Sequence, residues 1–159
     1  MKDTLIYLAH PIDMGRADSG LIEYAVGELQ ALGFPSYNPL TAFNVAGDVS
    51  GAISKVNEGA MLASTGALAF LPKDVQTIGT PAEVSYLSSN GRPTAILTDA
   101  DTSWVVAGWR DKLFTNVFPL TEEGISEAID WLRGTMNWAE SSGVFRVDTS
   151  LDQDVVRAR

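Results

Sequence analysis

The segment GTPAE, residues 79–83, places a carboxylate where a helix opens, just after what reads as a buried central strand. Two roles are open to Glu83. Thr80-Pro81-Ala82-Glu83 fits a T-x-x-E capping box with proline at the first helical position, in which Glu83 satisfies orphan backbone N–H groups. The alternative is chemical, because a carboxylate at the exit of a strand faces whatever the fold binds. A helix start also presents amides and a positive dipole end, and one arginine beside it suffices for a small anion. Other chemistries are thinly supplied. The chain has no cysteine and one histidine, His10. Disulfides, thiolate metal sites and cysteine nucleophiles are therefore excluded, and neither a metal site nor a cofactor is expected.

The elements that must position Glu83 alternate in type. Residues 4–9 (TLIYLA) read as a continuous apolar strand, and Asp18 or Ser19 caps a helix that runs to about Leu32 and stops at Gly33. A short strand at 34–38, a loop and a helix at about 50–64 follow. GALAFL (66–71) is the next buried strand, Pro81 to Asn90 the next helix, closed by Gly91, and PTAILT (93–98) the fourth strand. SWVVAGW (103–109) is a short helix or turn, TNVFPL (115–120) the last strand, and Thr121 caps a final helix to about Arg133. Apolar runs separated by helical patterns argue for a parallel sheet covered on both faces. Five strands of this kind predict a flavodoxin-like doubly wound α/β fold of order 2-1-3-4-5, with ligands bound beyond the carboxyl ends of the strands where the order reverses. The loop after strand 1 (AHPIDMGRADSG) and the loop after strand 3 (PKDVQTIGTPAE) both face that crevice, which puts Glu83 where chemistry would be done.

Length and charge narrow the partners. At 159 residues the chain reads as one domain, 1–133, followed by a polar, weakly patterned extension, 134–159, that covers a neighbouring subunit or is partly disordered. No apolar run approaches the ~18 residues that span a bilayer, so no membrane partner is expected. The N-terminus reads as a strand rather than a signal peptide, which makes the cytosol the default. A net charge of −9 without a basic cluster argues against a polymeric nucleic acid, which demands phosphate neutralisation.

Four segments resemble the nucleoside 2-deoxyribosyltransferase superfamily, which includes nucleoside 5′-monophosphate N-glycosidases. IYLAHPIDMGRAD looks like its first strand and loop and GALAFLP like its third strand. TIGTPAEVSYLSSNGRPTAIL follows the pattern S-x-G-T-x-x-E-(I/L)-G-x-A…G-(K/R)-P, and DADTSWVVAGW looks like the segment after strand 4 that reaches an active site in the dimer. The resemblance covers roughly residues 4–133, and only the glutamate motif is specific. It implies that Glu83 is a nucleophile attacking the anomeric carbon, its ionisation assisted by the helix N-terminal field, and that Tyr7 orients it or stacks on substrate. It further implies that Arg16 and Thr77, with the amides of Gly79 and Thr80, hold a 5′-phosphate; transferases acting on free nucleosides tend to carry an acid where Thr77 stands. The expected substrate is a small nucleoside or nucleoside monophosphate, and the expected assembly a homo-oligomer, a dimer first.

The departures bear on the base. Ser64 stands where the family has an Asp before strand 3, Val56 where the preceding helix presents another, with Glu58 nearby. His10 and Pro11 replace small loop residues. A serine offered across the dimer appears as Val106, unless Ser103 serves instead. His10 is either the proton donor to the leaving base or a buried, hydrogen-bonded loop histidine. Asp13, Asp74, Asp99 and Asp101 read as solvated loop charges, and the four tryptophans as core or interface. Base exchange and non-catalytic nucleotide binding are the alternative functions.

Overall fold

In the computed structural model of the chain, the described residues are 4–13, 20–40, 50–75, 77–99 and 114–142. Strands β1 (Ile6–Ala9), β2 (Ser36–Tyr37), β3 (Gly66–Phe70), β4 (Thr94–Thr98) and β5 (Thr115–Pro119) alternate with helices α1 (Gly20–Ala31), α2 (Ser50–Ala63), α3 (Gly79–Ser89) and α4 (Glu122–Ser141). The strands form one parallel sheet in the order β2-β1-β3-β4-β5, as expected, and the reversal of order falls between β1 and β3.

The three central strands, β1, β3 and β4, are buried throughout, and successive residues divide between the two faces of the sheet. Ile6, Leu8, Leu68, Phe70, Ala95 and Leu97 pack with α1 and α4 residues, among them Leu29, Ile125 and Leu132. Tyr7, Ala9, Ala67, Ala69 and Ile96 point the other way and pack with Met61 of α2 and with Val84 and Leu87 of α3. Period-two geometry thus sorts GALAF into two Ala on the α3 side and Leu and Phe on the other.

The helix ends follow their local chemistry. Gly33 (φ 75) and Gly91 (φ 68) adopt the left-handed conformation just past α1 and α3. The next amides turn back: Phe34 N–H donates to Leu29 O and Arg92 N–H to Leu87 O, both at 2.9 Å. Thr121 Oγ1 accepts from Gly124 N–H at 3.1 Å and caps α4. Three boundaries differ from expectation. The second strand shrinks from 34–38 to two residues. Helix α3 opens at Gly79, not Pro81, so the proline stands third, where a missing N–H still costs nothing. Helix α4 continues past Arg133 to Ser141, with Met136 and Ala139 buried against the core; spacing from Leu132 through Met136 to Ala139 keeps the apolar stripe on one face. Residues 143–159 lie outside the described residues, as does SWVVAGW with Trp104 and Trp109. Trp131 is partly buried against Phe118, whereas Trp138 is half exposed beside Phe114.

Candidate active site

The parallel register fixes which side chains meet at the carboxyl edge. Tyr7 lies on β1 opposite Ala67, on the face that α3 covers, and its small neighbours Ala67 and Ala69 leave its ring room beside the helix. Glu83 is one turn into α3. The Tyr7 hydroxyl donates to Glu83 Oε1 at 2.7 Å, a contact across 76 positions at the point where strand order reverses. This is a short, charge-assisted bond that engages one of the two carboxylate oxygens.

Both groups are shifted by their surroundings. Burial pushes Glu83 up to about 7, and the Tyr7 hydrogen bond opposes that rise without cancelling it. Burial also pushes the Tyr7 phenol up, reinforced by the Glu83 charge and hydrogen bond, so Tyr7 stays a donor throughout the physiological range. The helix field was expected to help keep Glu83 ionised; with the carboxyl raised to about 7, its ionised and protonated forms coexist near neutral pH. Glu83 sits beyond the first turn, where the dipole has faded, and desolvation wins.

The capping box fails for the same reason. Thr80 is inside the helix and buried, Ile78 is the residue before it starts, and Ile78 offers no side-chain cap. Thr77 takes that task instead: Thr77 Oγ1 accepts from Thr80 N–H at 3.3 Å and donates to Thr80 Oγ1 at 3.3 Å. Glu83 is thus directed to Tyr7, not to the helix start. Of the two amides expected to face a phosphate, that of Thr80 is engaged by Thr77. Gly79 is exposed, and a Cβ added there would meet open space.

The other expected site residues divide. His10 is buried at the exit of β1, with Nδ1 3.1 Å from Pro11 O and Nε2 2.9 Å from Asn38 Oδ1. The same Asn38 oxygen accepts Leu40 N–H at 2.9 Å. Both ring nitrogens are thus turned into the protein, which is the loop-histidine alternative; His10 fastens the exits of β1 and β2 together. Ser64 is not brought to Glu83. It precedes β3, at the amino edge of the sheet, buried, with its hydroxyl donating to Met61 O at 2.7 Å where α2 ends. Asp99 is more than a solvated charge, since its Oδ1 accepts Lys73 N–H at 2.8 Å and ties the exits of β3 and β4. Asp13 and Asp74 are exposed, as is Val56. Arg16, Ser103, Asp101 and Val106 lie outside the described residues.

One aromatic neighbour was not foreseen. Register places Tyr37 of β2 beside Tyr7, and their rings stack with centroids 5.6 Å apart and planes 19° from parallel. The Tyr37 hydroxyl donates to Asn57 Oδ1 of α2 at 2.9 Å. Two tyrosines in corresponding places of adjacent strands were visible in the sequence, but their contact required the register.

The molecule is a doubly wound α/β protein carrying a desolvated glutamate, held by a buried tyrosine, at its topological switch point. No protein-family model matches the sequence, and no curated protein does either. Solved structures do match the fold. One is the CMP N-glycosidase BcmB of Clostridium botulinum, 17% identical, covering 80% of this chain and 98% of its own, with TM-score 0.63. A conserved protein from Enterococcus faecalis V583 covers the same shares at 22% identity and TM-score 0.62. A 2-deoxyribosyltransferase from Bacillus psychrosaccharolyticus is 16% identical over 63% of this chain and 76% of its own, with TM-score 0.52. At these identities the fold is what is shared.

Proposed function

We propose that this chain cleaves the N-glycosidic bond of a nucleoside 5′-monophosphate, with Glu83 as the nucleophile. The observation that carries this reading is the 2.7 Å bond from Tyr7 to one oxygen of a desolvated Glu83 at the sheet's switch point. Two neighbours in fold are named as an N-glycosidase and a deoxyribosyltransferase, which supports glycosyl-bond chemistry on a nucleoside or nucleotide.

The geometry suits the chemistry. A carboxylate stripped of water is a better nucleophile than a solvated one, and Tyr7 fixes its plane through one of its two oxygens. As the C1′–N bond breaks, the base leaves with the bonding pair and takes up a proton. A C1′–O bond to Glu83 forms from the oxocarbenium-like state. Water then attacks C1′ and gives up a proton to solvent, replacing the one that the base took from it, and the carboxylate departs in its original form. The Tyr7 proton stays on the phenol throughout, so its role is to orient and to share the carboxylate's charge. Arg16, Thr77 and the Gly79 amide are the groups that would hold the 5′-phosphate, with the amino end of α3 favouring an anion there.

Chromatography of base released from ribo- and deoxyribonucleoside monophosphates tests the proposal. Free base is expected with wild-type protein and not with Glu83→Gln. Exchange of an added second base would convert the reading to transfer. Binding without release from any substrate would leave a nucleotide-binding protein.

A further inference from the structure

We infer that Tyr37, tethered by Asn57, is a positioning residue that acts through Tyr7: its ring holds the Tyr7 phenol in line with Glu83. The inference rests on the reading of Glu83 as the reacting carboxylate, and it assigns a task to two residues outside the expected site.

A phenol can hold a carboxylate's plane only if its own ring is held. Tyr7 is fully buried, with its ring packed among Ala67, Ala69 and α3 residues on one side and lying against Tyr37 on another. The small alanines cannot clamp an aromatic ring, so the stack at 5.6 Å and 19° supplies its largest flat contact among the described residues. Tyr37 itself stands on a two-residue edge strand, a poor anchor alone. Its hydroxyl compensates by donating to Asn57 Oδ1 at 2.9 Å, which pins the outer ring to α2, an element of 14 residues. The two tyrosines therefore divide their donors. Tyr7 spends its hydroxyl on Glu83, and Tyr37 spends its own on Asn57 although it lies close enough to feel the Glu83 charge. Tyr37 thus acts by its ring and tether, with its hydroxyl spent on Asn57 rather than on Glu83.

Among the described residues, Tyr7 from β1 and Tyr37 from β2 are the titratable groups interacting with Glu83. The sign of a titration shift then separates positioning from filling. If Tyr37 only fills space, Tyr37→Leu admits water and lowers the Glu83 pKa. If Tyr37 positions Tyr7, Tyr37→Leu loosens the hydrogen bond that holds the pKa down, and the pKa rises.

The experiment follows the 13C resonance of the Glu83 carboxyl against pH, without substrate, in wild type, Tyr37→Leu, Tyr37→Phe, Tyr7→Phe and the Tyr37→Leu/Tyr7→Phe double variant. Tyr37→Leu and Tyr7→Phe are each expected to raise the Glu83 pKa, and the double variant to rise no further than Tyr7→Phe alone. Tyr37→Phe keeps the ring but cuts its tether to Asn57, and is expected to raise the Glu83 pKa by less than Tyr37→Leu does. In base-release assays Tyr37→Leu should lose roughly tenfold in kcat with KM unchanged, the scale of one aromatic pair. A pKa unchanged or lowered in Tyr37→Leu overturns the inference, as do shifts that add in the double variant. Absence of base release in the wild type would sink the proposed function while leaving the titration to judge this one.

Discussion

Tyr7 Oη and Glu83 Oε1 are 2.7 Å apart, and through them β1 and α3 are joined across 76 positions of the chain. Hydrogen bonds to a charged partner contribute ~1.5–3 kcal/mol, so Tyr7→Phe should cost roughly 10- to 150-fold in kcat. The phenyl keeps the packing, and the folded protein should be intact by circular dichroism. Wild-type turnover in Tyr7→Phe would show that the contact is structural only.

Glu83→Ala and Glu83→Gln should abolish base release by orders of magnitude. Helix capping cannot be the cause, because Glu83 does not cap α3. A folded Glu83→Ala protein keeping more than a tenth of wild-type turnover would remove the nucleophile from the mechanism.

The raised Glu83 pKa has consequences in two directions. The nucleophile must be ionised, so kcat/KM, which reports the free enzyme, should rise through about pH 7 when measured from pH 5 to 9. Stability should do the reverse. Folded Glu83 binds its proton more tightly than the unfolded chain, from 4.5 up to about 7, so stability is lost as pH rises through that window. Glu83→Gln keeps an acceptor for Tyr7 and removes the titration. It should be up to ~3 kcal/mol more stable than wild type above pH 7, with the gain disappearing below about pH 4.5. Denaturant melts of both proteins at pH 4 and pH 8 check this; an equal difference at both would refute the linkage.

Arg16 tests the phosphate. Losing one charge-assisted bond should cost roughly 10- to 150-fold in kcat/KM on monophosphates. Nucleosides never made the contact and should be nearly unaffected by Arg16→Ala. With a net charge of −9, the chain has no general basic surface to substitute. Equal losses on both substrates would favour the base-exchange reading.

The sheet was legible because GALAFL and PTAILT are too apolar for anything but a doubly covered strand, and Gly33 and Gly91 mark where helices must stop. The start of α3 was misread because Thr77 and Thr80 both precede helical residues by a capping distance, and Pro81 tolerates any place in the first turn. The end of α4 was misread because Gly134 and Thr135 are poor helix formers; the buried stripe through Met136 and Ala139 overrides them. In the site, Tyr7 and Glu83 were legible and Tyr37 was not. A stack between neighbouring strands depends on register, and register in turn depends on every pairing in the sheet. Ser64 stands just before β3 as the pattern places it, but which edge of the sheet that is depends on strand direction, which the pattern does not carry.

The alanines of β1 and β3 have a mechanical meaning. Glu83 hangs from α3, and α3 rests on a floor of methyl groups from Ala9, Ala67 and Ala69. The reach of the carboxylate is therefore set by the height of that floor. Widening it, as in Ala69→Val, would lift the helix, and a bond already at 2.7 Å has no slack with which to follow. Chemistry at this carboxylate can be detuned by a hydrocarbon that touches neither substrate nor any polar group, and a survey confined to crevice residues would pass over it.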